Sequence, residues 1–323
     1  MIKNTAFPIK IVDHTHLTRW QTSGCQRFEL ELADGGNTYA YTLLIEHDAD
    51  RRRMRVQEEK LDFDGKPLFS CIGGTAQLYR DDHTPGPQYP FDWTMSAVGA
   101  LHERPENRKL AQFKKALSKL IIVRPIPALM ARESRGEQER LTPQMENFVS
   151  WYRHLAQEYM GAMVTLLAEL KPALPGFDSL SLKESGEDSR ALKAQFTRPG
   201  GGKALTFDFS ELSDGQKMLI ALYTLTFGLK DEGVSIFIDE PDNFLALREI
   251  QPWLSSLSDA VGATLEQVVL ISHHPEIVNF FGRAYGKWFD RDAQGPVRLS
   301  SAAGLAPEGL TLADAIARDW IKK

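Results

Sequence analysis

Three short stretches of this 323-residue chain carry side chains suited to work on phosphates. In VSIFIDEPD, residues 234–242, an apolar run ends in two adjacent carboxylates, Asp239 and Glu240. Where a buried parallel strand ends, such acids stand in the crevice in which open α/β sheets bind ligands. The first acid there suits Mg²⁺ held through water, and the second suits polarising an attacking water. A solvated acidic turn at a strand end accounts for the same residues equally well.

The second stretch is ELSDGQK, residues 211–217. Ser213 suits the N-cap of a helix, and Gly215 lets the backbone come close to a ligand. The free N–H groups and dipole of that first turn, Ser213 to Gln216, make an anion site suited to a terminal phosphate. Beyond it Met218, Leu219, Leu222 and Leu225 share one stripe, so an ordinary capped amphipathic helix is the plain alternative. The third stretch is QVVLISHHPEIV, residues 267–278. A histidine just past a buried strand can reach a terminal phosphate or an attacking water. His273 suits this better than His274, following the strand by one polar residue, although a lone histidine there is more often structural.

These residues need a scaffold, and the surrounding pattern supplies one. A helix over 213–229, a strand at Val234–Ile238, a helix near 244–258, a strand at Gln267–Ile271 and a helix from Pro275 alternate. Fully apolar strands in that order predict a parallel sheet buried on both faces. Upstream, residues 25–82 alternate apolar and polar positions around Asp34-Gly35-Gly36-Asn37 and Asp64-Gly65, which are hairpin signals. Residues 81–90 read as a Pro/Gly loop. The period is helical over 94–122, with a break at Pro105, and again over 143–170. Short strands follow, and LTLADAIARDW at 310–320 reads as a helix capped by Thr311 or Asp314. The expectation is an α/β fold with a mainly parallel core. It divides into an antiparallel β lobe over 1–92, a helical insert over 93–175 and the core over 176–323.

A net charge of -5 gives no global basic field for nucleic acid. Two cysteines argue against a disulfide framework. No apolar run approaches the roughly 20 residues of a membrane span, and the N-terminus lacks a signal-peptide core, so the cytoplasm is expected. Asp13-His14-Thr15-His16 has H-x-H spacing without companions, RRRMR at 51–55 reads as a charged hairpin tip, and Trp151, Tyr152 and Leu155 read as core packing.

Taken in order, LSDGQK, IFIDEPD and LISHHPE resemble the signature motif, Walker B strand and switch histidine of ABC-type ATPase heads. The resemblance is to the SMC/RecF-like group that includes the ATPase parts of OLD-type proteins. The strand-rich FELEL…YAYTLLIEH and the helical NFVSWYRHL are similar to that group's lobe and insert, while Asp214 stands where glycine is more usual. The resemblance implies ATP and Mg²⁺ as cofactors, with Asp239 on the metal, and Glu240 and His273 catalytic. Ser213, Asp214, Gly215 and Gln216 would act in trans on nucleotide held by a partner head. It implies a homodimer or heterodimer through the signature face, driving an effector such as a nuclease, with DNA a further candidate partner and no membrane.

The same family carries G-x-x-x-x-G-K-[ST] ahead of the strand-rich lobe. These 323 residues do not contain it. TRPGGGKAL has Gly202-Lys203 but Thr197 and Ala204 at the flanking positions, and YGKW at 285–288 fails through Phe281 and Trp288. A shortened chain, a split enzyme and a degenerate head are the three explanations. An intact Asp239, Glu240 and His273 favour the first two, because only a phosphate loop makes those residues useful.

Overall fold

The computed structural model describes residues 23–48, 53–198, 200–229, 233–291 and 295–321. The H-x-H stretch at 13–16 and Arg51 and Arg52 of the arginine-rich tip lie outside these residues. The chain divides into two compact units, one of residues 1–118 with 290–298 and one of 119–289 with 299–323. The sequence partition at 92 and 175 follows element type, whereas this division follows packing.

In the first unit six strands run as an antiparallel meander: β1 (Cys25–Asp34), β2 (Asn37–Asp48), β3 (Arg53–Phe63), β4 (Lys66–Ile72), β5 (Thr75–Tyr79) and β6 (Pro85–Pro90). Phe63 pairs with Lys66 across a two-residue turn, and Asp64 and Gly65 both take positive φ, the backbone such a hairpin requires. The Pro-rich tract read as a loop instead forms β6 from residue 85. It is an edge strand, where missing proline N–H groups cost no ladder bonds. Helices α1 (Ala97–Ala100) and α2 (Arg108–Ser118) complete the unit. Tyr39, Leu61, Phe69, Leu110 and Phe113 pack its core. Glu59 is buried within it, yet fully engaged: it accepts from Tyr41 Oη at 2.7 Å, Ser96 Oγ at 2.6 Å and the Ala97 N–H at 2.7 Å.

The second unit begins with a correction. The helical period read through residue 122 stops at Ser118, and Leu120–Val123 is β7. Four aliphatic residues in a row satisfy a strand as readily as a helix turn, and periodicity cannot separate the two. β12 (Val234–Asp239) is the centre of a parallel sheet, with β7 on one side and β13 (Leu265–Ile271) on the other. The parallel core therefore draws in Leu120–Val123, from ahead of the 176–323 span expected for it. Four antiparallel strands form a second sheet: β8 (Glu133–Ser134), β9 (Phe177–Gly186), β10 (Ser189–Phe196) and β11 (Leu205–Asp208). The helices are α3 (Phe148–Glu158), α4 (Met160–Ala173), α5 (Asp214–Phe227), α6 (Leu247–Ala260) and α7 (Pro275–Ile277).

The expected apolar stripe on α5 proves too narrow a description, because Lys217 through Thr226 are all buried. A helix inside a packed layer is buried all round. Its hydroxyls cope locally: Thr224 Oγ1 donates to the Ile220 carbonyl, and Thr226 Oγ1 donates to that of Leu222 while accepting from Trp253 Nε1. One face of the parallel sheet, with Val123, Ile236 and Ile238, enters this core. The opposite face carries Ile122, Phe237 and Ile271, of which Ile122 and Ile271 are 66% and 60% exposed. The prediction of a sheet covered on both faces therefore holds for one face among the described residues.

Candidate functional site

The acid pair sits where β12 ends. Glu240 follows Asp239 in the left-handed region at φ 53, a conformation costing a non-glycine residue on the order of 1–3 kcal/mol. It is held there by its own N–H, which donates to the Ile271 carbonyl of β13 at 2.8 Å. Phe244 takes φ 73, so two left-handed residues bracket the loop 240–244.

Arg124, the residue after β7, reaches this loop from the other side. Its Nη2 donates to Glu240 Oε2 at 2.5 Å, and its Nε lies 3.7 Å from Asp239 Oδ2. Asn243 Nδ2 donates to the same Glu240 oxygen at 3.0 Å. The Arg124 hydrogen bond holds the Glu240 carboxyl below its ordinary value against partial desolvation, and Asn243 and His273 add smaller contributions in the same direction. Arg124 itself is anchored by its N–H, which donates to the Pro143 carbonyl at 2.7 Å. Neither Arg124 nor Asn243 was singled out by the sequence reading. The one available signal is a charged residue directly after an apolar run whose periodicity reads as helix.

The parallel register sets Asp239 opposite Ile271, so the residues after both strands leave the sheet at one edge. Ser272 donates to the buried Asp242 carboxylate at 2.5 Å and accepts the His274 N–H at 2.9 Å, pinning the histidine loop to the acid loop. The two histidines then differ. His274 is the N-cap of α7, its Nδ1 accepting from the Glu276 N–H, while His273 is exposed at the edge near Glu240.

The turn at 213–216 is a capping box. Ser213 Oγ accepts from the Gln216 N–H at 3.2 Å, and Gln216 Oε1 accepts from the Ser213 N–H at 2.9 Å. Asp214 Oδ1 lies 3.7 Å from the Nζ of the nearly buried Lys217. Gly215 has a structural reason of its own: a Cβ there would stand 2.8 Å from the Phe244 carbonyl oxygen. The glycine thus lets the helix start press against the loop that follows the acids. Asp239, Glu240 and His273 are brought together at one sheet edge. Ser213 to Gln216 adjoin that edge through Phe244, and among the described residues no hydrogen bond joins them to the acids.

As a donor set, the edge offers an Asp239 carboxylate 38% exposed and touched by Arg124 only at 3.7 Å. That suits Mg²⁺, which keeps several waters and takes one or two carboxylates plus substrate phosphates. Among the described residues no group of three His, Cys, Asp or Glu converges to hold a metal unaided, and no helix is long and apolar enough to cross a membrane.

Residues 133–279 match a family model described as "AAA domain, putative AbiEii toxin, Type IV TA system", a stretch that contains the capped turn, the acid pair and both histidines. The match covers less than half of the chain and supports a nucleotide-binding ATPase type of domain there. No curated protein matches the sequence. Among solved structures the chain is similar to a crystal structure of the SmcHead bound to the C-winged helix domain of ScpA. That similarity is at 10% identity and a TM-score of 0.39, over 81% of this chain and 75% of that one.

Proposed function

We propose that this chain is an ABC-type ATPase head that uses ATP and Mg²⁺ and works with a phosphate-cradling loop from outside these 323 residues. The observation that carries the reading is the shared edge: Asp239-Glu240 and His273 leave adjacent parallel strands together, and the capped turn at Ser213 is packed on the loop that follows the acids. Bound Mg²⁺ would supply charge neutralisation on the transferring phosphate. Asp239 would hold it through water, Glu240 would orient and deprotonate the attacking water, and His273 would face the terminal phosphate. Ser213, Asp214, Gly215 and Gln216 would present N–H groups and side chains to nucleotide on a second head, in a homodimer or heterodimer. That ATP-dependent pairing would gate an effector, with a nuclease in phage defence or DNA repair as the partner class.

One observation favours a second reading. Arg124 already contacts both carboxylates, where a cation would stand, which suits a catalytically inactive scaffold of the same fold. Phosphate release separates the two. The chain alone is expected to show no turnover. Combined with a polypeptide carrying G-x-x-x-x-G-K-[ST], encoded upstream or alongside, it should turn over ATP in a manner abolished by Glu240→Gln. Robust Glu240-dependent turnover by the chain alone would sink the idea of an external loop. Silence in every combination would leave the scaffold.

A further inference from the structure

Away from the acid edge, a cleft of about 150 Å³ opens between α3 and the turn joining β9 to β10. Arg153, Glu184, Gly186, Asp188, Ser189 and Arg190 line it. Arg153 carries the unusual feature. Its Nε and Nη1 are out of solvent, and neither has a hydrogen-bond partner among the described residues. A guanidinium cannot shed its proton in a protein, so burial does not neutralise it. Polar nitrogens withdrawn from water are paired in native structures with few exceptions.

The carboxylates of the cleft do not meet this need. Glu184 stands across the β9–β10 ladder from Arg190 and lies 3.9 Å from its Nη1. Asp188 belongs to the turn itself, at φ 59, and neither acid comes within 4 Å of the Arg153 nitrogens as an ion pair. What remains is a partly desolvated guanidinium, a second guanidinium on Arg190 and the nearly buried hydroxyl of Ser189, which line one small volume together with the two acids. Forked guanidinium donors match the oxygens of carboxylate and phosphate. Three donor groups around one centre suit the several oxygens of a phosphate, and an apolar cavity of similar volume takes up a benzene-sized guest.

We propose that this cleft is a binding site for a phosphate group, free or as the terminus of a small monoester, held by Arg153 with Arg190 and Ser189 as supporting donors. The site stands apart from the acid edge and does not depend on the ATPase reading.

The test is nuclear magnetic resonance of arginine Nε–Hε groups in the full chain, with the Arg153 signal assigned by its loss in Arg153→Gln. Titration uses inorganic phosphate and, separately, phenyl phosphate, each against sodium chloride of equal ionic strength. The Arg153 signal is expected to shift saturably with phosphate and not with chloride. Arg190→Gln should weaken that response at least tenfold. A stronger response to phenyl phosphate identifies a monoester terminus as the ligand, and a stronger response to inorganic phosphate identifies the free ion. An Arg153 signal that stays still at millimolar phosphate overturns the proposal, as does a response that chloride reproduces. Should Arg153→Gln fail to fold, Arg153→Lys supplies the assignment, since the lysine keeps the charge and removes the Nε–Hε signal.

Discussion

Arg124 and Glu240, 116 positions apart in sequence, meet at 2.5 Å through Nη2 and Oε2. That contact joins the ends of two adjacent parallel strands and sets the charge of the acid edge. With Asp239 3.7 Å from the same guanidinium, one positive charge faces two negative ones.

A divalent cation entering this edge must compete with Arg124. Replacing Arg124 by glutamine removes the competing charge and keeps a hydrogen-bonding side chain. Mn²⁺ binding, followed by electron paramagnetic resonance, should tighten several-fold in Arg124→Gln and vanish in Asp239→Asn. Weaker binding in Arg124→Gln would mean that the arginine organises the carboxylates instead of competing for them.

Gly215→Ala places a methyl group 2.8 Å from the Phe244 carbonyl oxygen, a backbone atom that cannot swing aside. The expected cost is about 1–3 kcal/mol, the range for overpacking. Urea denaturation reads it, with Gly228→Ala as a comparison at the other end of α5, where the methyl would meet the Thr224 carbonyl at 2.7 Å. Unchanged stability in Gly215→Ala would show that the loop after the acids yields freely.

The two histidines should separate by stability. His274→Ala removes an N-cap acceptor and should cost about 1 kcal/mol. His273→Ala, at an exposed position, should leave the unfolding midpoint in place. Equal losses would contradict the division of labour between them.

Glu59→Ala leaves the Ala97 N–H, Ser96 and Tyr41 without their common acceptor in the first unit. Hydrogen bonds to a charged group are worth roughly 1.5–3 kcal/mol each, and orphaned buried donors add to the loss. A destabilisation of at least about 3 kcal/mol is expected in chemical denaturation, with Glu59→Gln intermediate because the amide oxygen still accepts.

Acid sensitivity has a local contributor in Glu146. The hydroxyl of Thr142 donates to its carboxylate and holds it below the ordinary range. Because the folded-state value is the lower one, the stabilisation is complete above the ordinary value of about 4.3 and is lost as pH falls through the folded value. Thr142→Val should raise the Glu146 titration midpoint, read by carboxyl carbon resonances, and reduce stability near neutral pH more than in acid. A midpoint that does not move would assign the depression to backbone donors.

Local chemistry was legible in the chain itself. Asp64-Gly65 specifies a hairpin turn, Ser213 specifies a helix start, and VSIFIDE specifies an apolar strand ending in two acids, because turns, caps and apolar runs act through neighbours a few positions away. Leu120–Val123 was not legible. Four aliphatic residues suit either periodicity, and only pairing with Val234–Asp239 makes them a strand. With that strand unassigned, Arg124 had no visible place. Packing alone likewise explains Gly215, whose neighbour Phe244 lies across the fold, and the two unpartnered nitrogens of Arg153. Which charges meet is set by strand order and by the layers that exclude water. Both are properties of contacts distant in sequence, so the tertiary structure decided them.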